Sequence, residues 1–220
     1  MIKFDVKNRK LLNEIIFEEL KNLIVTGKML PGMRIMEKEI ARETGVSRTP
    51  IREAIKKLET SGLVIINPRK AACVAKISTR KMLEVLEVDQ NMEGLAATLA
   101  GQRIRQIEKQ KLQEMSDLFE AALGAQDVDE MVRCDAKFHQ IIIEAAGNKT
   151  LTMMFGQIEE LILKFRYVYY NEEKWSEKIL DEHRLIYLSI INGDLTLAKK
   201  AAEEHVEKFK DSILVESHIC

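Results

Sequence analysis

Apolar residues in the first third of the chain recur at helical spacing and are interrupted by glycine. One apolar stripe predicts a helix over about 8–26 that ends at Gly27. A short helix is predicted over about 37–44 and ends at Gly45. A third helix follows Ser47, the predicted N-cap, and places apolar residues at i, i+3, i+4 and i+7. Short helices joined by a tight turn are typical of a helix-turn-helix domain.

Two short apolar runs after the third helix predict a β-hairpin. Gly62 ends the helix, the runs read LVII and AACVAK, and the NPRK segment between them forms the predicted turn. Three helices followed by a hairpin predict a winged helix-turn-helix domain over residues 1–77.

The pattern is helical throughout the rest of the chain, and it predicts an all-helical antiparallel bundle over residues 78–220. Breaks at Gly147-Asn148 and Gly193-Asp194 separate some of the helices, and Asp194 is a predicted N-cap. The predicted helices span about 79–105, 108–124, 127–146, 149–171, 175–192 and 194–216. The predicted fold class is therefore mostly α.

Charge is distributed unevenly along the 220 residues, although the net charge is only −1. Residues 1–76 carry 16 Lys and Arg against 9 Asp and Glu, whereas the remainder is acidic. A basic first third attracts a polyanion such as DNA. The absence of a long apolar run and of a signal-peptide pattern predicts a cytoplasmic protein without membrane contact. Three scattered cysteines without CxxC argue against a disulfide framework.

Basic and hydroxyl side chains gather where a winged domain meets DNA. Arg48 and Thr49 begin the predicted recognition helix, and Arg52 lies one turn further along. Arginine is the commonest reader of guanine, while hydroxyl groups and other basic residues usually contact phosphates. The predicted DNA-binding residues are Arg34, Ser47, Arg48, Thr49, Arg52, Arg69 and Lys70. The alternative is a winged domain used for protein contacts, with these charges merely solvated.

Three predicted bundle helices each carry one histidine within an apolar series. Asp135 and His139 are four residues apart and share a helix face, and His183 and His205 lie on two later helices. A single such histidine is usually a hydrogen-bonded core residue. Burying three together with an aspartate is costly without compensation, and a divalent cation would supply that compensation. His218, near the C-terminus, is predicted to lie outside this site.

One aspartate and three imidazoles form a nitrogen and oxygen ligand set. Such a set suits Zn, Ni, Mn or Fe(II). Four protein ligands on an octahedral ion would leave two positions open for water or a small anion.

The winged segment resembles the DNA-binding domain of GntR-family bacterial transcription regulators. The resemblance rests on PGMRI, on the run E-x-x-I-A-R-E-T-G-V-S-R-T-P-I-R-E-A-I-K-K-L-E, and on SGLV. It implies that Arg34, Arg48, Thr49 and Arg52 occupy DNA-contact positions. The wing of such proteins usually has glycine where Ala71 stands here, so the wing geometry is expected to differ.

The helical segment resembles the FCD effector domain of the FadR-type GntR subfamily. The resemblance rests on DAKFHQIIIEAAGN, DEHRLIYLSIINGD and AAEEH. It implies a divalent metal held by the Asp135–His139 pair and two later histidines, with a small organic acid as effector.

The first bundle helix departs from the pattern of that subfamily. Such proteins often carry arginine there, whereas this chain has Asp89, followed by Glu93, in VDQNMEGLAA. Both residues are candidates for the effector pocket. An acidic side chain disfavours a second ligand carboxylate, so an amine-bearing effector, no effector, or the metal itself as effector are the alternatives to an organic acid. Asp89 as a solvated or capping residue is the alternative.

The function expected from these patterns is a homodimeric regulator, with repression favoured, that binds palindromic half-sites in double-stranded DNA. A small-molecule effector at the metal would control its DNA affinity. One alternative is a regulator with a structural or sensed metal and no organic effector. A metalloenzyme is less favoured because the chain has no HExxH or similar motif, so no enzymatic activity is expected.

Overall fold

The computed structural model describes residues 12–66, 71–76, 78–170 and 176–217. The chain divides into two compact units, Met1–Ile77 and Ser78–Cys220. Over the described residues the first unit contains helices α1 (Leu12–Val25), α2 (Glu37–Thr44) and α3 (Arg48–Thr60), and strands β1 (Arg34–Ile35), β2 (Val64–Ile65) and β3 (Ala72–Val74). The fold is mostly helical, which confirms the predicted fold class.

The three strands form one antiparallel sheet in the order β1-β3-β2. Arg34 is paired with Cys73, and Val64 with Val74. The sequence predicted only the hairpin of β2 and β3. Strand β1 was missed because two residues are too short to show the alternation by which a strand is recognised.

The core of the first unit forms where α1 packs on α3. Helix α3 buries Ile51, Ala54, Ile55 and Leu58, as its apolar spacing predicted. Ser47 does stand at the N-cap position of α3, but its side chain makes no capping hydrogen bond. The expected capping contact is therefore wrong, and the Ser47 hydroxyl is not used by the helix itself.

The second unit consists of helices only over its described residues. These are α4 (Thr79–Arg103), α5 (Gln106–Ala125), α6 (Val128–Ala145), α7 (Lys149–Tyr170), α8 (Ser176–Ile191) and α9 (Leu195–Ser217). The predicted helices agree with these bounds within two residues at each end. Asp194 caps α9, since its Oδ1 accepts the backbone N–H of Leu197 at 3.0 Å.

Helix α9 lies close against α4 because small residues allow it. A Cβ atom at Gly94 would lie 2.7 Å from Glu203 Cγ, and one at Gly101 would lie 2.8 Å from Leu195 Cδ2. A larger residue at either position would force the Glu203 or Leu195 side chain to shift. The contact matters for function because α4 and α9 both contribute side chains to the interior site. None of the helices in the described ranges is long and apolar enough to cross a membrane.

Candidate DNA-reading surface and candidate metal centre

Helices α2 and α3 are joined by a tight turn that starts at Gly45. Gly45 has a φ of +70°, a left-handed conformation that glycine adopts without strain. The turn leaves Arg48 and Thr49 in the first turn of α3, with Arg52 one turn further, and all three are exposed. Arg34 in β1 and Ser47 are exposed as well. These five side chains are accessible, as contact with DNA requires.

A carboxylate from α2 engages both arginines of α3. Glu37 Oε2 accepts hydrogen bonds from Arg48 Nη2 at 3.2 Å and Arg52 Nη2 at 2.9 Å, and Glu37 Oε1 accepts one from Arg52 Nε at 3.2 Å. The Arg52 hydrogen bonds lower the pKa of Glu37, with burial opposing and Arg48 adding to the effect. Sequence reasoning missed Glu37, although an acidic residue in the first turn of α2 was visible.

The wing tip lies outside the described residues, and so do Arg69 and Lys70, which were predicted to contact DNA there. Ala71 is described and lies just before β3. Among the described residues, Gln126 is the only non-glycine with a positive φ. Because the residue before Ala71 lies outside the described part of the chain, the expected difference in wing geometry stays a prediction.

Three helices bring the predicted Asp/His quartet together inside the second unit. Asp135 and His139 come from α6, His183 from α8 and His205 from α9, and one ligand atom of each lies within 4.8 Å of the others. Ligands of one ion are at most about 4.3 Å apart, because metal–N and metal–O bonds are about 2.0–2.2 Å. The four ligand atoms would therefore have to move closer together by at least about half an ångström to share one ion.

The buried imidazoles direct their Nε2 atoms at the same carboxylate oxygen. Asp135 Oδ1 lies 3.1 Å from His183 Nε2 and 3.7 Å from His139 Nε2. Neither Nε2 atom makes a hydrogen bond of good geometry with any described residue, although both lie within ion-pair distance of the Asp135 carboxylate. Asp135, His139 and His183 are each at most 2% exposed. Buried nitrogens without hydrogen bonds are costly unless a further group binds them, and a metal ion is such a group.

A glutamate carboxylate lies close to the Nδ1 atom of two of the histidine rings. Glu93 Oε1 from α4 lies 2.9 Å from His139 Nδ1, and Glu182 Oε2 lies 2.8 Å from His205 Nδ1. Contacts of this kind orient an imidazole and leave its Nε2 available to a metal. Burial raises the pKa of Glu182, but His205 and then Lys208 outweigh it and lower the pKa overall.

Asp135 has further partners on α7. Tyr170 donates its hydroxyl hydrogen to Asp135 Oδ1 at 2.9 Å, and Arg166 Nε forms an ion pair with Asp135 Oδ2. Burial would raise the pKa of Asp135, but Arg166 and the neighbouring histidines hold it well below its usual value. Asp135 is therefore a carboxylate, the form that can bind a metal ion.

The two buried histidines differ in charge. Burial would lower the pKa of His139, but the Glu93 charge and the Asp135 contact raise it to about 9. Burial lowers the pKa of His183 to about 4, against the opposing effect of Asp135. At neutral pH His183 is therefore neutral, whereas His139 would have to lose a proton before its Nε2 could bind a cation.

The candidate effector residues Asp89 and Glu93 are both buried, at 3% and 2% exposure. Asp89 lines a cavity of about 20 Å³ next to Asp135, His139 and Arg166. Asp89 is therefore neither solvated nor a cap, and that alternative is wrong. Burial and the nearby Glu93 charge raise the pKa of Asp89 to about 7.

Sequence reasoning missed the contribution of α7. Ile162, Arg166 and Tyr170 are spaced four apart, so a basic and a phenolic residue continue a buried stripe of that helix. Arg166 stands at a position of α7 where the apolar spacing predicts an apolar residue, and this was the signal that could have revealed the contribution of α7. Glu182 carried a weaker signal as the neighbour of His183.

A helix-turn-helix unit with exposed arginines, in one chain with a helical unit that encloses a polar interior site, is the arrangement of a transcription regulator. Comparison with known proteins agrees. The FCD domain family matches residues 84–208, and the family of bacterial regulatory proteins named gntR matches residues 12–74. The chain therefore belongs to the GntR family and carries an FCD domain, so it is a DNA-binding transcriptional regulator and not an enzyme.

Relatives cover nearly the whole chain. The HTH-type transcriptional regulator YdhC of Bacillus subtilis is 30% identical, over 86% of this chain and 84% of its own length. The HTH-type transcriptional repressor RspR of Escherichia coli is 25% identical, over 92% and 89%. The solved structure of E. coli McbR/YncC, 19% identical, has a TM-score of 0.82 over 94% of this chain and 98% of that one, which shows the same fold.

Proposed function

We propose that the chain is a homodimeric repressor whose affinity for a palindromic operator is controlled at a divalent metal in its helical unit. Residues 1–77 bind DNA, and residues 78–220 bind metal and effector and form the dimer. The similarity to RspR, which is named a repressor, supports repression. Two-fold symmetry of the dimer matches half-sites about one helical turn apart.

The metal is held by Asp135, His139, His183 and His205. The observation that carries this proposal is the buried pair of Nε2 atoms that face Asp135 without a hydrogen bond of good geometry to any described residue. A divalent ion, when bound, supplies positive charge to the site and open positions for a small anion. Zn, Ni, Mn and Fe(II) all suit this donor set, so elemental analysis must identify the ion.

The effector is a small organic acid that binds beside the metal. Arg166 Nη1 is buried and has no hydrogen-bond partner among the described residues, so it can receive a carboxylate. Asp89 lines the same cavity and also has a buried oxygen without a partner there. That oxygen favours an acid that also carries an amino or hydroxyl group.

A second candidate is a regulator that responds to the metal alone, or uses it structurally, without an organic effector. The size of the cavity favours this candidate. A space of about 20 Å³ holds about one water molecule, and an organic acid would need side chains to move. The two candidates differ in whether a carboxylate changes DNA binding once metal is present.

Control requires that ligand binding and DNA binding be coupled. A ligand that binds one conformation of the dimer better shifts the protein toward that conformation, and DNA shifts ligand affinity by the same factor. Couplings of 1–3 kcal/mol, or about 5–150-fold in affinity, are typical.

Binding to a selected operator tests the proposal. Purified protein is analysed for metal, and its preferred duplex is isolated from a random pool. Affinity for that duplex is then measured after chelation, after metal is restored, and with small carboxylates and amines added. A change with metal plus an acid supports the main proposal, and a change with metal alone supports the second candidate. A constant affinity throughout would contradict control at this site.

A further inference from the structure

Glu37 is the acidic residue that contacts the arginines expected to read DNA. It lies in the first turn of α2, and its carboxylate spans the guanidinium groups of Arg48 and Arg52 with three hydrogen bonds of 2.9–3.2 Å. Its side chain is 25% exposed, whereas those of the two arginines are 52% and 53% exposed. A negative charge therefore lies on the surface that is expected to approach a polyanion.

The contact has two consequences for the arginines. An unrestrained arginine samples many rotamers, and holding its guanidinium in one orientation reduces the entropy lost when it binds a base. The Nε/Nη2 edge of Arg52 is occupied by Glu37, and Nη1 remains to contact an acceptor. The same carboxylate competes with phosphate oxygens for both side chains and repels the DNA backbone.

The Glu37 contact contributes little to the packing of α2 against α3. Apolar residues of α2, the turn and α3 are buried instead: Ile40, Val46 and Ile51 are 7%, 4% and 0% exposed. Ion pairs at exposed arginines are weak contributors to stability. A role in folding is therefore a poor explanation for a carboxylate that bridges two exposed arginines.

We propose that Glu37 is a specificity-determining residue: it positions Arg48 and Arg52 for base contacts and keeps them from binding phosphates of non-specific DNA. This inference rests on the proposed DNA-reading role of α3. Glu37 acts through the two arginines and is a positioning residue. Glu37 thereby raises the ratio of operator affinity to non-specific DNA affinity.

The test uses full-length protein and two duplexes of equal length. One is the sequence that wild-type protein selects from a random pool, and the other is a scrambled version of it. Affinity for each is measured by fluorescence anisotropy over a range of salt concentrations. The variants are Glu37→Gln, which removes the charge, and Glu37→Asp, which keeps the charge on a shorter side chain. Glu39→Gln is the matched control, since Glu39 is an exposed acidic residue of the same helical turn. Thermal melts establish that each variant is folded.

Glu37→Gln is expected to bind the scrambled duplex at least about threefold more tightly. The salt slope should become steeper by about one for each released arginine that engages a phosphate. Its affinity for the selected duplex should not improve, so the specificity ratio falls. Glu37→Asp should lose affinity for the selected duplex and leave the scrambled duplex unaffected. Glu39→Gln should shift both affinities by one small factor.

If Glu37→Gln changes the affinity for both duplexes by the same factor, Glu37 acts only as a negative charge that repels DNA, and the inference is overturned. No shift on either duplex would overturn it too. In both cases the proposed function is unaffected, provided that the wild-type protein selects a sequence from the random pool. If wild-type protein selects no sequence, base reading by α3 fails, and the inference fails with it.

Discussion

Glu182 Oε2 lies 2.8 Å from His205 Nδ1, while the next residue in α8, His183, directs its Nε2 at Asp135. Adjacent helical residues point about 100° apart, because an α-helix has 3.6 residues per turn. Two adjacent residues of α8 therefore have different roles: His183 faces Asp135, and Glu182 orients His205 on α9.

Glu182→Gln is expected to weaken metal affinity about 10–100-fold, because an amide holds the His205 ring less firmly than a carboxylate does. The affinity is measured by competition with a chelator of known strength. Glu204→Gln is the matched control, since it removes an exposed charge beside His205 without altering the contact at Nδ1. Equal affinities for wild type and Glu182→Gln would show that the contact does not orient the ligand.

His183→Ala is expected to purify without metal. A ligand at a hundred times its dissociation constant stabilises a protein by about 2.7 kcal/mol, which is about 5–10 °C in Tm for a chain of this size. Chelation should therefore lower the Tm of the wild-type protein by about 5–10 °C, and it should leave the Tm of the variant unchanged. Elemental analysis and thermal melts measure the two effects. His218→Ala, at a position predicted to lie outside the site, should keep both metal and chelator response.

Metal binding is expected to release a proton from His139. Its pKa is raised to about 9 in the folded, metal-free protein, so below that pH a metal must displace the proton. Affinity should rise with pH, by up to about tenfold per unit, and level off above about pH 9. Titration calorimetry in buffers of different ionisation enthalpy counts the protons.

Glu93→Gln is expected to reduce the number of protons released when metal binds. The Glu93 charge is the largest of the effects that raise the pKa of His139, so its removal should lower that pKa. Fewer protons should then be released at pH 8. Identical release from the variant and the wild type would contradict this assignment.

Arg166→Met is expected to abolish binding of the acid effector and to preserve binding of the metal. Removing one partner of a buried ion pair costs about 3–5 kcal/mol, so the metal-free variant should melt lower. Metal should bind at least as tightly, because a cation next to Asp135 is gone, and any stabilisation by small carboxylates should disappear. Thermal melts with metal, with and without acid, measure this. The exposed Arg184→Met is the control and should behave like wild type.

Arg48→Ala is expected to weaken binding to the selected duplex about 10–100-fold, which corresponds to the loss of a base contact. Binding to scrambled DNA should fall by much less. Lys38→Ala removes an exposed positive charge of α2 and should lower both affinities by a similar small factor. Equal losses on both duplexes for Arg48→Ala would remove it from base reading.

Much of the fold could be predicted because helical apolar spacing is a local signal. The bounds of α2 were predicted to the residue, and the inward face of α3 was correct. The two-residue strand β1 could not be predicted, because its pairing with β3 is made between residues 34–35 and 72–73 and leaves no pattern within β1 itself. The Ser47 cap was wrong because residue type indicates capping ability, while the hydrogen bond depends on the local rotamer.

The sequence by itself determined the two-part organisation, the mostly helical fold and the identity of the Asp/His quartet. These follow from periodicity and from residue types whose burial needs compensation. Tertiary structure alone decided which groups surround that quartet. Arg166 and Tyr170 reach Asp135 from α7, and Glu37 reaches Arg48 across the turn, because packing brings together side chains that no sequence spacing relates. The charge state of a buried group depends on all such neighbours, so only the folded chain sets it.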